Sequence, residues 1–404
     1  MKNKLKIIND PVHGFIKIPH EILFDIIEHP FFQRLRRISQ TGLLNLIFPG
    51  ATHTRFHHAI GAMHLMFTAI ETLKLKGVSI SKEEEKSALL AILLHDVGHG
   101  PFSHALESMF MDDWHHERLS LLLMNKLNEE FSGELTTAIE MFQGKYHRKF
   151  FNQLISSQLD VDRLDYLKRD SFYTGVSEGN INTQRIISMM NVSNDELVVD
   201  AKGVYSIENY LTARMFMYWQ VYYHKTAALS EYMLVKILQR AKELVAEGVM
   251  LEATENLKYF LYRNKFEDSS AEDILRFTQL DDNDIVHAMK LWQFEDDFLL
   301  SYYCKSIMER QFQKTVISSK PFDQEWIDEK INKVNDYFGI DKGEYLVHQI
   351  ERSLLPYNAE KQPILLLNND GTKVALDQSE NQILSSSITA VNQKFVLTFP
   401  REVQ

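Results

Sequence analysis

"ALLAILLHDVGHGPFSH" occupies residues 88–104, and its reading decides the fold. Upstream, "SKEE" at Ser81 to Glu84 has the spacing of a capping box, with Ser81 as N-cap and Glu84 reaching back to it. The apolar run Ala88 to Leu94 therefore belongs to a helix buried on most of its surface. Gly98, Gly100 and Pro101 break that helix, and Ser103 stands where it can cap the next one. A buried helix that ends in His95 and Asp96 needs the pair to be exposed, hydrogen-bonded to each other, or bound to something. This stretch alone leaves all three open.

Working outward, helical patterning runs from about residue 20 to about residue 340. "YLTARMFMYWQVYYHKTAALSEYMLVKILQRAKELV", from Tyr210, contains neither proline nor glycine and reads as one long helix-compatible stretch whose aromatics suit core packing. The texture changes at "SSKPFDQ", a linker beginning at Ser318, and "PILLLNNDGTKVAL" reads as strand, turn, strand with Asp370-Gly371 at the bend. The expectation is a mainly α protein: residues 1–317 as a helical core with its extension, and 318–404 as a small mixed α/β tail domain. No internal repeat or low-complexity segment interrupts this order.

Composition bounds the function. The 404 residues are 45% hydrophobic and 25% charged, ordinary globular values. A formal net charge of -11 argues against general affinity for nucleic acid or anionic membrane, so any phosphate site must be concentrated. Cys304 is the only cysteine, which excludes an intrachain disulfide and suits a reducing compartment. With no signal-peptide pattern at the amino terminus and no long apolar run, a cytoplasmic location is expected.

Three segments carry the chemistry: "RFHHAIG" from Arg55, the His95-Asp96 turn, and "LDVDRLDYLKRD" from Leu159. Imidazole and carboxylate together suit a divalent ion such as Mn, Fe, Ni or Zn, or Mg where oxygens dominate. One ligand set fits, His58, His95, Asp96 and Asp162, with His57 turned about 100° away on its helix. Arg163, Tyr166 and Asp170 share a helix face with Asp162 at its margin; Lys168 and Asp165 on other faces leave a solvated salt-bridge helix as the alternative. A second stripe, Arg214, Tyr218, Tyr222 and Lys225, follows one face of the aromatic stretch, and arginine's planar fork suits phosphate.

Taken in order, "NDPVHGFIKIP", "FFQRLRRISQTG", "FPGATHTRF", "RFHHAIG", "HDVGHGPFSH", "WHHE", "LDVDRLDYLKRD" and "YLTARMFMYWQVYYHK" strongly resemble the HD-domain deoxynucleoside triphosphate triphosphohydrolases over about residues 5 to 240. That family, of dNTPases and dGTPases, includes a human enzyme with a SAM domain before its HD domain; no SAM domain is expected here. The resemblance implies an HD-domain helical phosphohydrolase fold with a small α+β appendage. It also implies release of a deoxynucleoside and intact triphosphate, and a divalent metal held by His58, His95, Asp96 and Asp162. His104 matches a catalytic histidine, supported by Glu107, His116 and Glu117, and its implied role is general acid for the 5′-oxygen. Arg55, Arg163, Tyr166 and Arg214 match triphosphate contacts, Gln40 and Asp170 match groups at the sugar 3′-hydroxyl, Tyr222 and His224 close over sugar and base, and His99 lies near the phosphates.

The sequence departs from the human-type pattern at Glu107, which replaces an aspartate, and at Thr41, which replaces a leucine beside the substrate. Lys6, Glu28, Gln33 and Arg36 match a guanine-nucleotide activator site between subunits, with Glu28 replacing an aspartate; ordinary surface charge is the competing reading. Such a site implies GTP or a deoxynucleotide as activator and a homo-oligomer, a tetramer favoured over a dimer. Two other readings compete: hydrolysis of a different phosphoester (a nucleoside monophosphate, cyclic dinucleotide or alarmone), and a nucleotide sensor without turnover.

Overall fold

The computed structural model of the protein describes residues 6–103, 106, 109, 116–263, 270–379 and 386–404. The chain opens with a hairpin, β1 (Lys6–Asp10) and β2 (Gly14–Ile18), whose turn is tied by Asp10 Oδ1 accepting the amides of Val12 and His13 at 2.9 and 2.8 Å. Helix α1 (Glu21–Glu28) follows, then α2 (Arg55–Leu75) and α3 (Lys82–Leu94). The capping box is present: the Glu84 amide donates to Ser81 Oγ at 3.1 Å and the Ser81 amide to Glu84 Oε2 at 2.8 Å. All of Ser87 to Leu94 is inaccessible to solvent, as the apolar run requires. Each buried leucine there contributes about 2 kcal/mol of transfer free energy.

Two glycines set how closely the site helices approach. A Cβ on Gly61 of α2 would lie 2.1 Å from Asp165 Oδ1 and 2.2 Å from Arg169 Nη2, both on α5 (Val161–Thr174). A Cβ on Gly98, just past α3, would meet the Ser120 amide at 2.3 Å on α4 (His116–Glu130), and the Gly98 amide donates to Ser120 Oγ at 2.9 Å. Only glycine leaves room for the Asp165 and Arg169 side chains against α2 and for the α4 backbone against the end of α3.

The aromatic stretch from Tyr210 is not one helix. Helix α6 (Val204–Met217) passes into a π-helical turn at Tyr218–Tyr222, and α7 (Lys225–Ala246) begins after it, with His224 as N-cap accepting the Thr226 amide at 3.2 Å. Hydrophobic spacing cannot reveal a turn of this kind, which adds one residue to the helical repeat and is enriched at functional sites. Tyr218 and Tyr222 line one cavity; Arg214, one regular turn earlier and 5.7 Å from the Tyr218 ring, and Lys225, beyond the added residue, do not line it.

Beyond α7 further helices lead to two sheets. Strands β3 (Met190–Ser193) and β4 (Glu196–Asp200) are extended by β7 (Leu365–Leu367) and β8 (Lys373–Ala375), the β4–β7 pairing being parallel. The expected strand, turn, strand is thus β7 and β8, with Gly371 at φ +85° in the bend. Strands β5 (Lys314–Ser318), β9 (Asn392–Phe399) and β6 (His348–Leu354) form an antiparallel sheet in that order. One apolar cluster takes in Leu89 and Leu238 of the helical part together with Leu376 and Leu397 of the carboxy-terminal part. Consequently residues beyond 318 reach back to the helices that carry the site. No helix among the described residues is long and apolar enough to cross a membrane.

Candidate metal centre and nucleotide cavity

Helix α2 presents His58, the end of α3 presents His95 and Asp96, and the first turn of α5 presents Asp162. Asp162 Oδ1 lies 3.1 Å from His58 Nε2 and 3.5 Å from His95 Nε2. Asp96 approaches the same nitrogens, with Oδ1 at 3.3 Å from His95 and Oδ2 at 3.8 Å from His58. The far side of each ring fixes its orientation. His95 Nδ1 donates to the Ile92 carbonyl at 2.6 Å, and His58 Nδ1 donates to Asp165 Oδ2 at 2.8 Å. Both Nε2 atoms are buried without an aligned hydrogen-bond partner. Two imidazole nitrogens aimed at a pair of carboxylates, each ring held from behind, are the donor set of a borderline divalent cation, and the residues fit one.

Electrostatics agree. Burial opposes charge on His58, yet the carboxylates of Asp162 and Asp165 outweigh it and raise its pKa to about 10. Burial likewise works against ionised Asp162, but His58 and His95 bring its carboxyl well below the usual range. The same demand for positive charge at Nε2 is met by a proton or by a divalent cation.

Behind His58 stands a group that sequence reasoning missed. Asp165 is wholly buried and accepts from His58, from His13 Nε2 at 2.7 Å, and from Arg169 Nε and Nη2 at 2.9 and 3.0 Å. Arg169 Nη1 donates to Asp10 Oδ2 at 2.7 Å, which ties the amino-terminal hairpin to the metal centre. Against burial, Arg169 first and then the two histidines hold the Asp165 carboxyl well below the carboxylate range. The alternative of a solvated salt-bridge helix therefore does not hold at Asp165; lying three residues after Asp162 and four before Arg169, it turns inward where Gly61 makes room.

Alongside lies a cavity of about 440 Å³. Of the expected substrate residues, Gln40, Arg55, His99, Arg163, Tyr166, Asp170 and Tyr222 line it, as do Asp96, Asp162 and His116. Arg55 pairs with Asp96 Oδ2 and donates from Nε to Ser103 Oγ at 2.7 Å. Ser103 thus holds the arginine, and the helix it was expected to cap falls at residues outside those described. Phe102 and Ser103 both have left-handed φ, 51° and 54°, a local strain of about 1–3 kcal/mol each. Asp282 pins that turn, accepting the Phe102 amide at 2.7 Å and the Ser39 amide at 2.8 Å. Arg163 is braced by the Ser157 carbonyl at 2.6 Å and by Asp160 at 3.1 Å. Asp170 accepts from His53 Nε2 at 2.7 Å and from the Tyr222 hydroxyl at 2.5 Å, and His53, also missed, stacks on Tyr173 with 4.4 Å between rings.

Other expected residues stand elsewhere. Arg214 does not line the cavity: from the last turn of α6 its Nη1 donates to the Pro356 carbonyl at 3.1 Å. His224 is spent as the α7 cap, and Glu117 is exposed on α4 away from the cavity lining. His57 caps its own helix, Nδ1 accepting the Thr54 amide at 3.2 Å. His99 and His116 stack with ring centroids 3.9 Å apart, His99 Nε2 lying 3.3 Å from Asp96 Oδ1, so that Asp96, His99 and His116 form a second cluster able to hold a cation. His104 and Glu107 lie outside the described residues. At the expected activator position, Gln33 binds the Ile27 carbonyl at 2.8 Å and accepts from Arg36 Nε at 2.9 Å, while Lys6 lies over the Phe24 ring at 4.0 Å and Glu28 is exposed.

Comparison with known proteins agrees with this geometry. Residues 55–170 match the HD domain, and residues 181–258 match the HD associated region. A phosphohydrolase from Bacteroides thetaiotaomicron, known from a crystal structure, is 44% identical with a TM-score of 0.95 over 98% of this chain and 100% of that one. YwfO of Bacillus subtilis is 34% identical over 378 residues, 91% of this chain and 86% of its own length. The deoxynucleoside triphosphate triphosphohydrolase SAMHD1 homolog of Dictyostelium discoideum is 32% identical over 319 residues, 73% of this chain but 61% of its own length.

Proposed function

The chain belongs to the HD-domain phosphohydrolase family, and from that premise we propose that it hydrolyses deoxynucleoside triphosphates to deoxynucleoside and inorganic triphosphate. The observation that carries this reading is one cavity that joins the His58, His95 and Asp162 cluster to the cations Arg55 and Arg163 and to the buried acceptor Asp170. A polyphosphate needs the cations, a sugar hydroxyl needs a fixed acceptor, and a phosphoester cleaved between them needs the cluster.

In this reading Arg55 and Arg163 neutralise the triphosphate, and Asp170, fixed by His53 and Tyr222, receives the 3′-hydroxyl with Gln40 beside it. His58, His95, Asp96 and Asp162 would hold a divalent cation, which would supply Lewis-acid polarisation and a lowered pKa for water. In-line attack of a water oxygen on the α-phosphorus forms the new P–O bond and breaks the bond to the 5′-oxygen; the entering oxygen leaves with the triphosphate, the water's proton passes to solvent, and the departing 5′-oxygen takes a proton. By sequence position His104 donates it, assisted by Glu107 and by His116, which lies on His99 beside Asp96. Arg214, His224 and Glu117 have no part in this scheme. Lys6, Glu28, Gln33 and Arg36 would answer an activating guanine nucleotide completed by a second copy of the chain.

The test is anion-exchange analysis of products from each of the four deoxynucleotides with Mn²⁺ or Mg²⁺, with and without GTP, beside an Asp96→Ala control. Deoxynucleoside and triphosphate in equal amounts, absent in the control, are expected. Orthophosphate or pyrophosphate release would mark cleavage of a phosphoanhydride bond and refute this reading, and intact substrate throughout would move it to another phosphoester or to a sensor.

A further inference from the structure

The cavity has a second end that the proposed chemistry does not use. From His58 a ladder of rings leads away: Tyr166 at 6.5 Å, Tyr222 a further 6.3 Å, Tyr218 a further 5.1 Å and Tyr223 a further 5.4 Å between centroids. At its far end Arg352 of β6 lies 5.7 Å from the Tyr223 ring and donates from Nη2 to Glu231 Oε2 of α7 at 2.8 Å. Both charged residues line the cavity, and Arg352 Nε is buried with no partner. The Tyr223 hydroxyl donates to the Ser353 carbonyl at 3.1 Å, fastening β6 to the π-helical turn.

A γ-phosphate does not belong there. Glu231 would stand against it, whereas Arg55 and Arg163 lie nearer the metal cluster. A carboxylate only accepts hydrogen bonds and a guanidinium only donates them. Paired on a cavity wall among tyrosine rings and Leu234, they offer a neutral, planar partner for a flat heterocycle. Of the four DNA bases only guanine carries two adjacent donors, N1–H and N2–H, for one carboxylate, with the O6 acceptor beside them for an arginine.

We propose that Glu231 and Arg352 read the edge of the nucleobase and make guanine the preferred base, so that the carboxy-terminal part of the chain sets specificity at a site whose chemistry lies in the helical part. This rests on the triphosphohydrolase reading for the reaction but not for the binding. A matched donor and acceptor pair discriminates between bases by about tenfold.

Two measurements separate the claims. In the first, deoxyguanosine, deoxyinosine (which lacks the 2-amino group) and deoxyadenosine are titrated calorimetrically into the intact protein, Glu231→Gln and Arg352→Met, each checked for an unchanged thermal transition. In the second, kcat/KM is measured for all four deoxynucleotides and for dITP. The expected result is about tenfold preference for the guanine ligand over its inosine counterpart in the intact protein, collapsing to within about twofold in Glu231→Gln, with the other nucleotides little affected. Equal binding of deoxyguanosine and deoxyinosine by the intact protein overturns the proposal. So does a uniform loss for all bases in both variants, which would mark a phosphate or structural role. If no nucleotide releases triphosphate, the reaction reading fails while the nucleoside titrations still decide the base.

Discussion

Replacing Asp165 with asparagine keeps shape and removes one buried charge at the junction of three elements. Arg169, itself fully buried, loses its charged partner at 2.9 and 3.0 Å and retains only Asp10 at 2.7 Å. Breaking a buried ion pair costs about 3–5 kcal/mol, a large share of the roughly 5–15 kcal/mol that holds a domain folded. The amide cannot serve both sides. If its oxygen accepts from Arg169, its NH₂ faces the donating nitrogens of His13 or His58, and the His58 ring loses the carboxylate that aims Nε2 at the metal cluster. Loss of such a supporting partner lowers metal affinity by about 10–100-fold. The control is His13→Gln, which loses the 2.7 Å bond to the same carboxylate without touching His58, and costs about 1–3 kcal/mol. Urea unfolding and competitive Mn²⁺ titration of both variants read the two effects separately. If Asp165→Asn binds metal no more weakly than His13→Gln, the carboxylate does not orient His58 and the reasoning is refuted, whatever happens to stability.

Three further outcomes follow from the same geometry. Gly61→Ala puts a methyl group 2.1 Å from Asp165 Oδ1, so it should cost about 3 kcal/mol in thermal or urea unfolding and also weaken metal binding; a near-neutral result would show that α2 and α5 can separate freely. Tyr222→Phe removes the 2.5 Å bond to Asp170 and should raise KM for a deoxynucleotide about tenfold with little change in stability, measured by initial rates and by melting. His348 stacks on Tyr232 at 4.1 Å, and burial, with Lys236 adding to it, depresses its pKa to about 4. The unfolded chain then binds the extra proton between about pH 6.5 and 4, so stability falls as pH drops through that window. Replacing His348 with glutamine should flatten that part of an acid-unfolding curve.

How far the sequence could be read follows from where each residue's partner lies. The α3 helix and its end were legible because cap, apolar run and breaker are contiguous, and every one of these signals acts within a few residues. His58, His95 and Asp162 were legible for a chemical reason: a helix buried on nearly every side ends in groups that only a ligand or a paired charge can satisfy. Asp165 had the same kind of signal, a carboxylate one turn from Asp162 and one turn from Arg169, but a run with six other charged residues reads as a wet surface until Gly61 is known to face it. His13 and His53 gave no signal, since their partners lie 152 and 117 residues away.

The π-helical turn shows why local reading fails where the site is most particular. In a regular helix Arg214, Tyr218, Tyr222 and Lys225 share a face, and a phosphate stripe is the natural inference. Tyr218 and Tyr222 line the cavity and the extra residue leaves His224 to begin a new helix, whereas Arg214, in the regular helix before the turn, reaches the Pro356 carbonyl instead. The cation missing from that stripe has a counterpart in Arg352, 129 residues beyond the Tyr223 ring it lies over and on the far side of the expected linker. Tyr223, just past the π-helical turn, and Arg352 of the carboxy-terminal strand meet at the same end of the cavity, so a change in either should move the specificity argued for that end. A variant that deletes one residue from Tyr218–Tyr222 should therefore lose base discrimination along with Tyr222, whereas Arg352→Met should lose discrimination alone; the difference between those two kinetic profiles measures how much of the cavity each part of the chain supplies.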